Sequence, residues 1–280
     1  MLKKVFFLGR PGSGKSTAAR YMIELAQRRN YSTFYMKDYD ILYHMFLKDR
    51  ARDRSQQQFR PADYDGFDVL DTILFDTALK KLEANILAIP DAEKLQMVVI
   101  EFARDDYRHA LQLFEPEFLH DSYIFFVDAD LQVCINRIHK RVETPSEPDH
   151  HFVSDYIMQT YYNKDNWMYV SSLLKEEYPF FKHVEFIRNT ELLPDLLAQV
   201  GNFADIVFQN EVNQQKQPEE LNADLHNNNE LTSARKQKNH VKESSERTDR
   251  RASVTPRPSS STSYMQYTGE LQNGPVALAP

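Results

Sequence analysis

Gly9-Arg10-Pro11-Gly12-Ser13-Gly14-Lys15-Ser16 is the stretch from which the rest of the chain is read. It fits G-x-x-x-x-G-K-[ST], with Gly9, Gly14, Lys15 and Ser16 at the defining positions. Ahead of it, Val5-Phe6-Phe7-Leu8 is a short apolar run suited to a buried parallel strand. Behind it, Ala18, Ala19, Met22, Ile23 and Ala26 share one face of a helix. Strand, glycine loop and helix together make a phosphate cradle. Glycines let the backbone curl until successive N–H groups face one anion, and the helix adds its own N–H groups and the positive end of its dipole. Gly9, Arg10, Pro11, Gly12, Ser13, Gly14, Lys15, Ser16 and Thr17 are therefore the candidate phosphate-binding residues. Lys15 would neutralise charge on the β- and γ-phosphates, and the Ser16 hydroxyl would ligate Mg²⁺.

Composition divides the 280 residues unevenly. From about Glu211 the sequence turns to Gln, Asn, Glu, Ser, Lys and Pro, with no Phe, Ile, Trp or Cys. Such a segment buries too little apolar area to offset its ordering entropy, so 211–280 reads as a disordered polar tail and 1–210 as one domain. The nine Lys/Arg and nine Asp/Glu of the tail cancel, which leaves the net charge of −7 in 1–210. A net-acidic domain argues against nonspecific nucleic-acid binding. The single cysteine, Cys134, excludes an internal disulfide framework and fits a reducing compartment. No apolar run reaches the length of a membrane span, and Val5–Leu8 after Lys3-Lys4 is too short for a signal peptide. A cytoplasmic protein with no membrane partner is expected.

Four further strand signals follow: Tyr31–Met36, Gln96–Glu101, Tyr123–Val127 and Val184–Ile187. The first runs into Asp38 and Asp40, candidates for a base or for holding metal-bound water at the carboxyl edge of a sheet. The second ends in Glu101, the pattern of an acidic residue that helps place Mg²⁺ or takes a proton, with Arg104 close behind. Residues 41–95 are too long for a plain crossover and read as a helical insertion over the site. Within it, Arg50, Arg52, Arg54 and Arg60 are either a solvated face or contacts to an anionic substrate. Phe59 to Asp68 reads as an aromatic and polar loop. The helix after it carries Val69, Leu70, Ile73, Leu74, Ala78, Leu82 and Ile86 on one face. After the 123–127 strand, Arg137 and Arg141 stand four residues apart on a helix that Asp130 caps, so both guanidinia leave the same face. Residues 143–151 read as a flap whose His150 and His151 lack a third metal ligand at a useful spacing. Tyr156–Leu174 reads as one aromatic-rich helix. Leu192–Phe208 reads as a closing helix with Leu193, Leu196, Leu197 and Val200 inward.

Taken in order, the phosphate loop, the strand ending in Glu101, the segment Phe126–Arg141 and the last strand with Asn189 resemble the nucleoside and nucleotide kinase group of P-loop proteins. The resemblance covers roughly residues 1–208. In that group a strand reading like YLD leads into a helix carrying R-x-x-x-R, the lid. It implies a lid over 137–152, with Arg137 and Arg141 reaching over the triphosphate. It also implies that residues near Arg188 and Asn189 flank the nucleotide base and that 41–95 binds the acceptor. Glu101-Phe102-Ala103-Arg104 stands where adenylate kinases carry D-G-[FY]-P-R and deoxynucleoside kinases carry E-R-S, so neither subfamily is implied.

The fold expected is a three-layer α/β/α sandwich with a parallel sheet of about five strands, the P-loop kinase arrangement. The function expected is transfer of the γ-phosphate of Mg·ATP to a small-molecule acceptor, a nucleoside or nucleotide. Lys15, Arg137 and Arg141 would draw off charge, Ser16 and Glu101 would place Mg²⁺, and Glu101 or Asp38 would serve as base. One rival is a regulatory NTPase or ATP-binding interaction module whose tail meets a protein partner, although no N-K-x-D base signature is present. The others are a sugar kinase and a polynucleotide kinase, the latter opposed by the acidic balance. In the tail, Arg250-Arg251-Ala252-Ser253-Val254 looks like a basophilic kinase target.

Overall fold

The computed structural model describes residues 2–92, 94–143, 151–190 and 192–209. The tail expected from 211, Ser253 and His150 lie outside these residues. In chain order, β1 (Leu2–Leu8) runs through the phosphate loop into α1 (Lys15–Gln27), then β2 (Ser32–Lys37) and α2 (Asp38–Asp49). Next come β3 (Phe59–Pro61), β4 (Phe67–Val69) and α3 (Ile73–Leu87). β5 (Gln96–Phe102), α4 (Tyr107–Gln112), α5 (Pro116–Leu119) and β6 (Tyr123–Asp128) follow. α6 (Leu131–Glu143), α7 (Asp155–Thr160), α8 (Leu174–Glu177), β7 (His183–Arg188) and α9 (193–209) complete the domain.

Five strands form one parallel sheet in the order β2-β5-β1-β6-β7. β1 lies in the middle; the chain crosses first to the edge strand β2, returns to place β5 between β2 and β1, and then adds β6 and β7 on the other side. The loop leaving β1 therefore opens at the carboxyl edge where strand order reverses, the usual ligand crevice of such sheets. Alternation along β1 sorts the two cores. Val5 and Phe7 face α1 and α9, packing with Ala18, Ala19, Met22, Val200, Phe203 and Val207. Phe6 and Leu8 face the other side, against Leu79, Leu82 and Ile86 of α3 and Phe114 and Phe118 near α4 and α5. These are the three layers of an α/β/α sandwich around a five-stranded parallel sheet. No helix among the described residues is long and apolar enough to cross a membrane.

The structure corrects the sequence reading in four places. Residues 59–69 are an antiparallel ribbon of β3 and β4, not a loop. Phe59 and Phe67 pack under Phe46 of α2, and Asp49 accepts the N–H groups of Gln58 and Phe59. The helix expected over 156–174 is split. Asn166 is drawn away to accept the Tyr107 N–H and donate to the Asp105 carbonyl, and Asp165 accepts the Trp167 N–H as the chain turns helical again. A π-helical turn, Tyr169–Leu173, then leads into α8. On α9, Leu193 is 56% exposed, while Leu196, Val200, Phe203 and Val207 make the buried stripe. Ile73 is likewise 61% exposed at the start of α3, and Leu70 also lies outside, because both precede the turn that packs on the sheet.

Candidate active site

Register brings Glu101 to the phosphate loop. Parallel pairing sets Phe7 beside Glu101 and Leu8 beside Phe102, so Glu101 lies level with the end of β1. Side chains alternate along β5, and Met97 and Val99 pack on the α1 side. Glu101 continues that row and meets the first turn of α1. Its Oε1 accepts the Ser16 hydroxyl at 2.7 Å and lies 3.6 Å from Lys15 Nζ, and its Oε2 accepts the Tyr35 hydroxyl. Lys15 is only 8% exposed. These groups form one network at the mouth of the loop.

Three loop glycines hold positive φ: Gly9 at 143°, Gly12 at 81° and Gly14 at 107°. A Cβ on Gly12 would come 2.4 Å from the Cys134 carbonyl oxygen, which belongs to the α6 backbone and cannot swing away. Gly12→Ala is accordingly expected to cost on the order of 1–3 kcal/mol. By contrast Gly201→Ala in α9, where a Cβ meets nothing within 4 Å, is expected to gain about 0.5–1 kcal/mol. Urea unfolding of both variants beside the parent checks the pair. Cys134 itself is buried, and burial pushes its thiol up to about 11, so it stays protonated.

The loop is braced from three directions. The Gly9 N–H donates to the buried Tyr107 hydroxyl at 2.7 Å. Asn189 Nδ2 donates to the Ser13 carbonyl at 2.7 Å. Arg137 spans both, donating to the Asn189 carbonyl at 3.1 Å and to the Ser13 carbonyl at 3.4 Å. Asn189 thus touches the loop backbone. Arg10 turns outward, donating to the carbonyls of Ala129 at 3.1 Å and Lys164 at 2.7 Å, so it meets the site through its backbone and not its guanidinium.

Two cavities open beside the loop. The first, of about 630 Å³, is lined by Gly12, Gly14, Lys15, Ser16, Thr17, Arg20, Arg137 and Arg141. Both α6 arginines thus share a cavity with Lys15. Arg20 was missed in the sequence, although it stands one turn beyond Ser16 at the i, i+4 spacing. The second, of about 680 Å³, is lined by Pro11, Lys15, Ser16, Lys37, Asp38, Tyr39, Leu42, Phe67, Val69, Phe75, Glu101, Ala103, Arg141, His151, Phe152, Val153, Ile157 and Tyr162. Lys15, Ser16 and Arg141 belong to both.

Asp38 begins α2 and is buried against Arg104, whose guanidinium also donates to the carbonyls of Ala103 and Phe75. Burial holds the Asp38 carboxyl above the ordinary carboxylate range, and the Arg104 charge pulls against it. Asp40 is exposed and faces Lys37 at 3.8 Å, so it is not in the cavity. Arg50, Arg52, Arg54 and Arg60 line neither cavity; Arg52 pairs with Asp49 and Arg60 with Asp68. His151 stacks on Tyr39 at 3.5 Å, and no cluster of three or more metal-type His, Cys, Asp or Glu side chains occurs among the described residues.

No family model matches the sequence, and no curated protein matches it. Solved structures with a similar chain path include a gluconokinase from Sinorhizobium meliloti 1021, at 14% identity and TM-score 0.42, covering 76% of this chain and 96% of that one. Chaetomium thermophilum Kti12 in complex with ADP-AlF3 is 15% identical with TM-score 0.43, covering 73% of this chain and 98% of that one. The Mycobacterium tuberculosis APS kinase CysC in complex with AMPPNP and APS is 15% identical with TM-score 0.40, covering 73% and 96%.

Proposed function

We propose that the chain is an ATP-dependent phosphotransferase that moves the γ-phosphate to a hydroxyl of a small-molecule acceptor, a nucleoside or nucleotide. The observation that carries the proposal is the pair of cavities meeting at Lys15, Ser16 and Arg141. Hydrolysis alone needs only the polyphosphate chamber. A second chamber with apolar walls, joined to the first at the phosphate-reading lysine, suits an acceptor held in line with the donor.

The loop amides and the α1 N-terminus would hold the polyphosphate, with Lys15, Arg20 and Arg141 drawing charge from the transferring group. The Ser16 hydroxyl and Glu101 carboxylate, 2.7 Å apart, are hard oxygen donors that fit Mg²⁺. Bound there, the metal would neutralise charge on the β- and γ-oxygens. Both Glu101 oxygens already have partners, Ser16 at the end of the loop and Tyr35 on β2, which favours the metal side for it. Asp38 lines the acceptor cavity and is the better general base, because burial raises its proton affinity toward working pH. Arg137 braces the loop carbonyls.

Steady-state ATP turnover of the full chain, with and without nucleosides, monophosphates and sugars, tests the reading. Release of ADP is expected to rise by about tenfold or more with the right acceptor. Steady hydrolysis indifferent to every acceptor would support the regulatory NTPase instead.

A further inference from the structure

We infer that Tyr107, held by Asn166, is a positioning residue for the phosphate loop, and that the break in the chain between α7 and the π-helical turn serves to hold the first two loop residues, Gly9 and Arg10. This rests on the reading of Gly9–Ser16 as a polyphosphate cradle and adds the residues that keep it in shape. A cradle built on glycines approaches an anion closely but has a loose backbone, and N–H groups that wander no longer converge. The two ends of this loop are held by different parts of the chain. Asn189 and Arg137 hold the far end through the Ser13 carbonyl. At the near end, the Gly9 N–H donates to the Tyr107 hydroxyl at 2.7 Å, and the Arg10 guanidinium donates to the carbonyls of Ala129 and Lys164.

Tyr107 reaches Gly9 because its own place is fixed. It is buried, with its ring perpendicular to Phe126 at 5.3 Å and tilted against Phe102 at 5.8 Å. It is also the first residue of α4, so its N–H has no partner within the helix. Asn166 supplies one: its Oδ1 accepts that N–H at 3.1 Å, while its Nδ2 donates to the Asp105 carbonyl at 2.9 Å. Two residues earlier, Lys164 Nζ lies 3.0 Å from Asp105 Oδ2, and the Lys164 carbonyl is the one that accepts from Arg10. Residues 164–166 therefore grip 105–107 with side chains and Arg10 with backbone. A continuous helix through this stretch would spend the Lys164 carbonyl on the N–H of Met168 and take it from Arg10. Neither Tyr107 nor Asn166 lines either cavity beside the loop, so each acts through the backbone that it holds.

The full chain is titrated with Mg·AMPPNP by calorimetry as the parent, Tyr107→Phe, Asn166→Ala, the double variant, Arg10→Gln and Ala110→Gly, with urea unfolding of each alongside. Tyr107→Phe deletes only the oxygen that takes the Gly9 N–H and leaves that buried donor without its acceptor. It is expected to weaken uptake about fivefold or more. Asn166→Ala is expected to do about as much, and the double variant hardly more than either alone, since one acts through the other. Ala110→Gly, which loosens α4 without touching these contacts, is expected to lose stability and keep the affinity of the parent. Arg10→Gln, on a half-buried side chain, is expected to weaken uptake severalfold, and it decides the matter if the buried variants do not fold. An affinity within about twofold of the parent in Tyr107→Phe, Asn166→Ala or Arg10→Gln overturns the inference. So does a double variant whose losses add, or an Ala110→Gly as weak as Tyr107→Phe, and in each case the reading of the loop as a cradle survives. A parent that takes up no Mg·AMPPNP overturns that reading and this inference with it.

Discussion

Lys15→Met is expected to lower phosphate transfer by roughly 10²–10³-fold or more, with the fold intact. The lysine is nearly buried at the junction of the two cavities, with its ammonium 3.6 Å from Glu101. Methionine fills most of the same space but carries no charge. In a low-dielectric site that charge is worth far more to a developing anion than it would be in water, and nothing has to reorganise to deliver it. Arg20, Arg137 and Arg141 line the same chamber, so nucleotide binding should fall less than turnover. Single-turnover transfer and equilibrium binding, measured side by side, separate the two effects. A variant that keeps its transfer rate would remove Lys15 from the chemistry.

Asp38→Asn is expected to lower kcat by roughly 10²–10⁴-fold, the range for loss of a positioned general base. The pH profile carries the discrimination. A base works in its ionised form, so the rate of the parent protein should climb as pH rises through the Asp38 pKa. Burial raises that pKa, against the pull of Arg104, so the acid limb should lie above the ordinary carboxylate value of about 4. In Asp38→Asn the limb should vanish and the residual rate become flat across it. Glu101→Gln should behave differently: a higher magnesium requirement with the acid limb retained, because its carboxylate faces Ser16 and Lys15. An acid limb that persists in Asp38→Asn and disappears in Glu101→Gln would exchange the two roles.

The parts of the site legible in the sequence are those written in consecutive residues. Gly9–Ser16, the apolar run before it and the small-residue face of α1 fixed the loop, and the β-branched run 96–100 brought Glu101 to the sheet edge. The i, i+4 spacing of Arg137 and Arg141 put both on one helix face, and both line the cavity that Lys15 lines. What escaped was long-range. Tyr107 holds the Gly9 N–H from 98 residues away, and Asp38 meets Arg104 across 66, pairings that no local pattern records. The β3–β4 ribbon escaped because its strands are three residues each and are held by Phe46 and Asp49 of α2, not by their own alternation. Leu193 and Ile73 misled because periodicity counts apolar residues at helix ends, where the turn projects beyond the sheet it packs on.

The central claim is that loop amides and Lys15 cup a polyphosphate at the carboxyl end of β1. Isothermal titration of the full chain with ATP, in the presence and absence of magnesium, tests it most directly. Saturable one-to-one uptake that needs magnesium and is lost in Gly12→Ala is the predicted result. Absence of uptake, or uptake that neither magnesium nor the Gly12 substitution alters, would contradict it.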